Sequence, residues 1–117
     1  MKKILLFCLL FLSVNIIQAQ KRLSNKEFKT MMKEKGVQIV DVRTAKEVAE
    51  GKIEGSINFD YFSPMFLEMC TSKLDKNKPV LVYCAAGGRS LNAAKDLKKA
   101  GFKKVYDLQG GYDNWKE

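Results

Sequence analysis

Cys84 follows the apolar run Val80-Leu81-Val82-Tyr83 and precedes Ala85-Ala86-Gly87-Gly88-Arg89-Ser90. A strand, a cysteine, a loop of small residues, a cation and the start of a helix come in that order. In open α/β sheets, ligands bind beyond the carboxyl ends of the strands, which is where this order puts the Cys84 thiol. The helix that follows brings unpaired backbone N–H groups and the positive end of its dipole, a field that favours the thiolate, the form of cysteine that acts as a nucleophile. Gly87 and Gly88 let successive N–H groups turn inward as a nest, and Arg89 adds a permanent, forked cation suited to an oxyanion. Ala85, Ala86, Gly87 and Gly88 leave the cradle unfilled. The loop is therefore suited to one anion: a thiolate, a persulfide, or a substrate oxyanion beside it. The blander alternative is a buried cysteine at a strand end before an ordinary glycine-rich turn.

The 117-residue chain contains no histidine. That removes Ser-His and Cys-His pairs and imidazole metal ligands, and leaves backbone dipoles and cationic side chains to activate a nucleophile; no cofactor is called for. Of the three cysteines, Cys8 lies in an N-terminal apolar run. Cys70 shares an apolar helical face with Phe66, Leu67 and Met69 and reads as packing. Small secreted domains stapled by disulfides usually carry four or more cysteines, so packing must hold this one together. Cys70 and Cys84 are not a C-x-x-C pair, although an oxidising compartment could join them where geometry allowed. The formal charge of +8 comes from scattered lysines, many beside acids, as in Lys46-Glu47. With no basic stripe interleaved with aromatics, a nucleic-acid partner is not expected, and mild steering of small anions is.

Short apolar strands alternate with amphipathic helices, the pattern of α/β architecture with a largely parallel sheet. Met1-Lys2-Lys3, the apolar run from Ile4 to Leu12 and Gln18-Ala19-Gln20 form the n-region, h-region and cleavage site of a signal peptide. Residues 1–19 are expected to be that signal and residues 20–117 one exported domain, with no stable membrane association after cleavage. A membrane anchor is the alternative, but the run falls short of the ~20 apolar residues a span needs. Ser24 and Glu27 predict a capping box, with Leu23 and Phe28 as its hydrophobic staple, for a helix that Gly36 stops. Val37–Val42 reads as a strand, Thr44 with Glu47 caps a second helix, and Ser56–Phe59 is another strand. Ser63–Thr71 is expected as a helix with Pro64 in its first turn. Val80–Tyr83, apolar throughout, is expected to be a central strand buried on both faces. Ser90 opens a helix with core face Ala93, Ala94, Leu97 and Ala100, Val105-Tyr106 is a last strand, and Gly110-Gly111 leads into a short helix bearing Trp115.

Cys84-Ala85-Ala86-Gly87-Gly88-Arg89-Ser90 resembles the C-x-x-G-x-R-S active loop of single-domain rhodaneses. Asp41-Val42-Arg43 with Glu47 resembles that family's D-V-R…E segment, Gly51 to Asn58 its G-H-I-x-G-A-x-N segment, and Gly110-Gly111 to Trp115 its closing G-G…W. The four ordered motifs span about residues 21 to 117. Lys52 stands where the family usually has histidine and Ser56 where it often has alanine. The resemblance implies a rhodanese-like single domain, a five-stranded, mostly parallel sheet flanked by helices on both faces. It also implies a double displacement: Cys84 takes sulfur from thiosulfate or a similar small anionic donor, holds it as a persulfide and passes it to cyanide or a thiol. Cys84 is then the nucleophile, the amides of Ala85 to Ser90 cradle the persulfide, and Arg89 binds the sulfonate end. Asp41 and Arg43 brace the loop through an ion pair, and Ser90 could be only a helix cap. Small signal-bearing members of this kind resemble periplasmic enzymes.

Two other readings compete. Cysteine phosphatases and arsenate reductases place five residues between cysteine and arginine, whereas only Ala85 to Gly88 intervene here. Rhodanese-like domains also serve as non-catalytic binding modules, and these often lack the cysteine that this chain keeps.

Overall fold

Strands that alternate apolar residues on two faces need a helical layer on each side. The computed structural model describes residues 21–115 and has that three-layer arrangement; the signal peptide expected over 1–19 lies outside the described residues. Strands β1 (Lys21–Leu23), β2 (Gln38–Asp41), β3 (Ile57–Asn58), β4 (Val80–Tyr83) and β5 (Val105–Leu108) form one sheet in the order β1-β5-β4-β2-β3. Every neighbouring pair is parallel. β4 lies at the centre and all four of its residues are buried. Helices α1 (Asn25–Met31), α2 (Ala45–Ala49), α3 (Phe66–Lys73) and α4 (Gly88–Lys99) connect the strands.

The two-residue period of the strands sorts the core. Val40, Val42, Val80, Val82 and Cys84 face one way and pack against Phe66 and Cys70 of α3 and Ala93, Ala94 and Leu97 of α4. Ile39, Leu81, Tyr83, Leu23 and Leu108 face the other way, onto Phe28 of α1, with Trp115 closing the edge of that cluster. Phe28, fully buried, meets Tyr83 and Trp115 edge-on, with ring centroids 6.5 and 5.7 Å away. That geometry suits the aromatic quadrupole. Burying a side chain of this size contributes roughly 1.5–3 kcal/mol.

Both expected capping boxes form: Ser24 and Glu27 close one at α1, Thr44 and Glu47 the other at α2. Four expectations need correction. The first helix ends at Met31, not at Gly36, because the N–H groups of Lys33 and Glu34 turn back to Thr30 O and Met31 O and close the chain into a turn. The helix expected from Ser63 begins at Phe66. Ahead of it, Asp60 and Ser63 side chains accept from Phe62 N and Met65 N and hold a turn through Pro64. α4 begins at Gly88, so Ser90 lies inside its first turn and does not open it. β1 was not expected: Lys-Arg-Leu is short and charged, and only its pairing with β5 makes it a strand. The terminal helix is a single 3-10 turn, Tyr112–Asn114, with Trp115 just beyond it.

Candidate active site

Cys84 leaves the carboxyl end of β4 and is 1% exposed. Its Sγ accepts hydrogen bonds from Gly87 N at 3.1 Å and Ser90 N at 3.3 Å, and lies 3.5 Å from Ser90 Oγ. Gly87 caps α4 in the left-handed region, at φ 109°. That conformation favours glycine, and it turns the first helical turn so that Ser90, the third residue of α4, aims its otherwise unpaired N–H at the sulfur. Of the amides expected to form the cradle, those of Gly87 and Ser90 meet Sγ. Ala85 is half-buried, while Ala86 and Gly88 are exposed.

A second ring of contacts fixes the loop from below. Arg22 of β1 donates from Nη2 to Gly87 O at 2.9 Å and pairs with Asp107 of β5 at 3.0 Å. Asp107 Oδ2 is 3.4 Å from Ser90 Oγ, and both residues are fully buried. Burial pushes the Asp107 carboxyl up, against the opposing pull of Arg22 and Ser90.

A third set clamps the loop from above. Cys84 O accepts from Tyr112 N at 2.8 Å and Ala85 O from Asp113 N at 2.9 Å. The approach is close enough that a Cβ on Gly111 would stand 2.6 Å from Cys84 O and closer still to Ala85 O. This explains the glycine at position 111.

Arg89 is held by Glu47, the N3 residue of α2, through Nη1–Oε1 at 2.8 Å and Nη2–Oε2 at 2.9 Å, and its guanidinium lies 5.2 Å from the Phe62 ring centroid. Bidentate pairing is the strong form of this contact; it brings the Glu47 carboxyl down to about 2. The Arg89 guanidinium is raised, chiefly by Glu47 and also by the charges of Cys84 and Asp60. Arg89 thus stands with a fixed carboxylate partner and within electrostatic reach of the sulfur.

Asp41 and Arg43 form a buried pair at 2.7 Å on the other face of the sheet. Tyr83 Oη donates to Asp41 Oδ2 at 2.7 Å, and Arg43 Nη2 donates to Gly51 O at 2.7 Å. The Arg43 guanidinium lies 4.4 Å from the Tyr112 ring centroid, so this pair reaches the loop through Tyr112. Ser56 Oγ and Ile53 N, from the segment containing Lys52, converge on Tyr83 Oη at 3.0 Å each. Cys70 sits inside the core, where burial pushes its thiol up to about 12; both Cys70 and Cys84 are free thiols. Among the described residues, no group of three His, Cys, Asp or Glu could hold a metal.

The sequence reading missed Arg22, Asp107, Tyr112 and the clamping role of Gly111. One signal was available: Asp107 interrupts the apolar strand Val105-Tyr106-Asp107-Leu108, and an acid buried there requires a partner.

A cysteine at the carboxyl end of a central parallel strand, with the amides of a glycine-capped helix on its sulfur, defines an α/β cysteine-loop domain. The rhodanese-like domain model matches residues 24–117, and the chain belongs to that family. It is 38% identical over 96 residues to the thiosulfate sulfurtransferase GlpE of Coxiella burnetii, covering 82% of this chain and 87% of that one. With the GlpE of Shewanella oneidensis it shares 36% over 97 residues, 83% and 93% of the two chains. The crystal structure of a rhodanese-like domain protein from Staphylococcus aureus superposes with a TM-score of 0.72 at 29% identity, over 84% of this chain and 93% of that one. The parallel five-stranded sheet is thus the rhodanese-like fold that the motifs implied.

Proposed function

We propose that the protein is a sulfurtransferase that moves sulfane sulfur from thiosulfate or a similar small anion to cyanide or a thiol, by way of a persulfide on Cys84. The observation that carries this reading is the pair of backbone amides, Gly87 N and Ser90 N, directed at Cys84 Sγ. The family's sulfurtransferases, at 36–38% identity, support the same chemistry. The Cys84 thiolate attacks the outer sulfur of the donor, the sulfur–sulfur bond breaks, and sulfite leaves with the bonding pair. The persulfide anion inherits the charge, and the first-turn amides of α4 offset it. The acceptor then attacks the outer sulfur and Cys84 departs as thiolate. Arg89, fixed by Glu47, presents its positive charge to the sulfonate end. Asp41 and Arg43 brace the loop through Tyr112. No resident cofactor enters the scheme. Residues 1–19 direct export, to the periplasm, and are then removed.

The test is the intact mass of the reduced protein after incubation with thiosulfate, beside Cys84→Ser. A gain of one sulfur atom in the native protein, absent from the variant, is the expected result. No gain with both thiols free removes thiosulfate as donor and moves the reading to another donor or to a non-catalytic binding role.

A further inference from the structure

The chain has no histidine, so the proton that Cys84 gives up before it attacks sulfur needs another acceptor. The sheet face beneath α4 offers one. Asp107 pairs in register with Arg22 on β1 and with Val82 on β4, and strand alternation turns its side chain toward α4, on the side where Cys84 lies. Ser90 Oγ stands between the two, 3.5 Å from Cys84 Sγ and 3.4 Å from Asp107 Oδ2. Cys84 is 1% exposed, Ser90 and Asp107 0%. We propose that Asp107 is the proton acceptor for Cys84, acting through the Ser90 hydroxyl. The assignment rests on Cys84 being the nucleophile; Asp107 does not touch the reacting sulfur and is a positioning residue for its proton.

The step balances without a co-reactant. The Cys84 S–H proton passes to Ser90 Oγ as the Ser90 O–H proton passes to Asp107 Oδ2. Thiol and carboxylate become thiolate and carboxylic acid, total charge is unchanged, and nothing is oxidised or reduced. When an acceptor takes the sulfur, Cys84 leaves as thiolate and the proton returns along the same path.

The surroundings of Asp107 suit an acid that changes state. Arg22 faces it from β1 at 3.0 Å and favours the carboxylate, as does Ser90 from α4. Burial works against them and prevails. Oδ1 is buried and has no hydrogen-bond partner among the described residues, which favours the uncharged acid. The Ser90 hydroxyl also has Gly87 O at 3.4 Å as a competing acceptor. Both separations are long for a hydroxyl hydrogen bond, and catalytic contacts of this kind tighten when substrate binds.

The experiment is the rate of Cys84 alkylation by iodoacetamide against pH in the full domain and in Asp107→Asn, with the modified residue located by mass spectrometry. It needs no sulfur donor, so its failure is distinct from a failure of sulfur transfer. Near pH 6 the variant should react about tenfold or more slowly, recovering at high pH where hydroxide takes the proton. An Asp107 that served only as counter-ion to Arg22 would give the opposite result. Removing its charge would leave Arg22 to favour the thiolate, and alkylation at low pH would speed up. A faster or unchanged rate overturns the proposal. Should Asp107→Asn fail to fold, infrared spectra of the native protein decide. Recorded at constant pH as iodoacetamide consumes the thiol, loss of the Cys84 S–H stretch together with a rising protonated-carboxyl band supports the proposal, and loss without that band overturns it.

Discussion

Glu47 serves two partners at once. Its Oε1 accepts from Thr44 N and Oγ1 and from Arg89 Nη1, so one carboxylate both caps α2 and fixes a cation beside the sulfur loop. Arg89 is the first cause of its lowered value, about 2 against an ordinary 4.5. A carboxyl lowered on folding stabilises the native state fully above its unfolded value, and that contribution is lost as pH falls through the folded one. Glu47→Gln should therefore be less stable than the native protein at neutral pH, and the gap should close between pH 4.5 and 2, as urea titrations at several pH values would read. At this scale the sequence was legible where partners are local. Cys84, Gly87 and Ser90 lie within seven consecutive residues, and their order alone points to an anion on the sulfur. Arg22 and Asp107 were not legible, because their pairing depends on which strands become neighbours.

Two elements meet at the loop, α4 from one side and the turn at Gly110-Gly111 from the other. Gly111→Ala places a methyl against Cys84 O and Ala85 O at a left-handed φ of 62°; backbone atoms cannot yield as a flexible side chain would. The loop must shift, and displacements of about 1 Å at a reacting centre cost roughly a hundredfold in rate. Sulfur transfer by Gly111→Ala should fall by about that factor in kcat/KM, with a lower Tm, while the alanine change at Gly88, which meets nothing within 4 Å, should be mild in both assays. Capping boxes at α1 and α2 were legible because both halves of each lie within four residues. The start of α4 was misplaced by two residues because a glycine's left-handed φ, which carries no mark in residue type beyond the glycine itself, set the boundary.

Across the whole molecule, stability rests on two apolar layers on either side of β4. Phe28 is one of the large, fully buried side chains of one layer, and Phe28→Ala should cost about 3–5 kcal/mol in urea unfolding. The strands that separate these layers were readable at Val80–Tyr83, as an unbroken apolar run, and at Val37–Val42. The strand order was not, since nothing local in Lys21-Arg22-Leu23 announces a partner at Tyr106-Asp107-Leu108. That pairing has a consequence for how the protein is made. Among the described residues, the earliest to leave the ribosome find their only strand partner among the latest, and Arg22 reaches Gly87 across 65 positions. Translation proceeds from the N-terminus at about 5–20 residues per second. A growing chain thus carries its cysteine for some seconds before Asp107, the glycine clamp and a seated Arg22 exist around it. The loop's contacts from Tyr112 N, Asp113 N and Arg22 are complete only once the chain through Asp113 has been made, and a shorter nascent chain carries Cys84 without them.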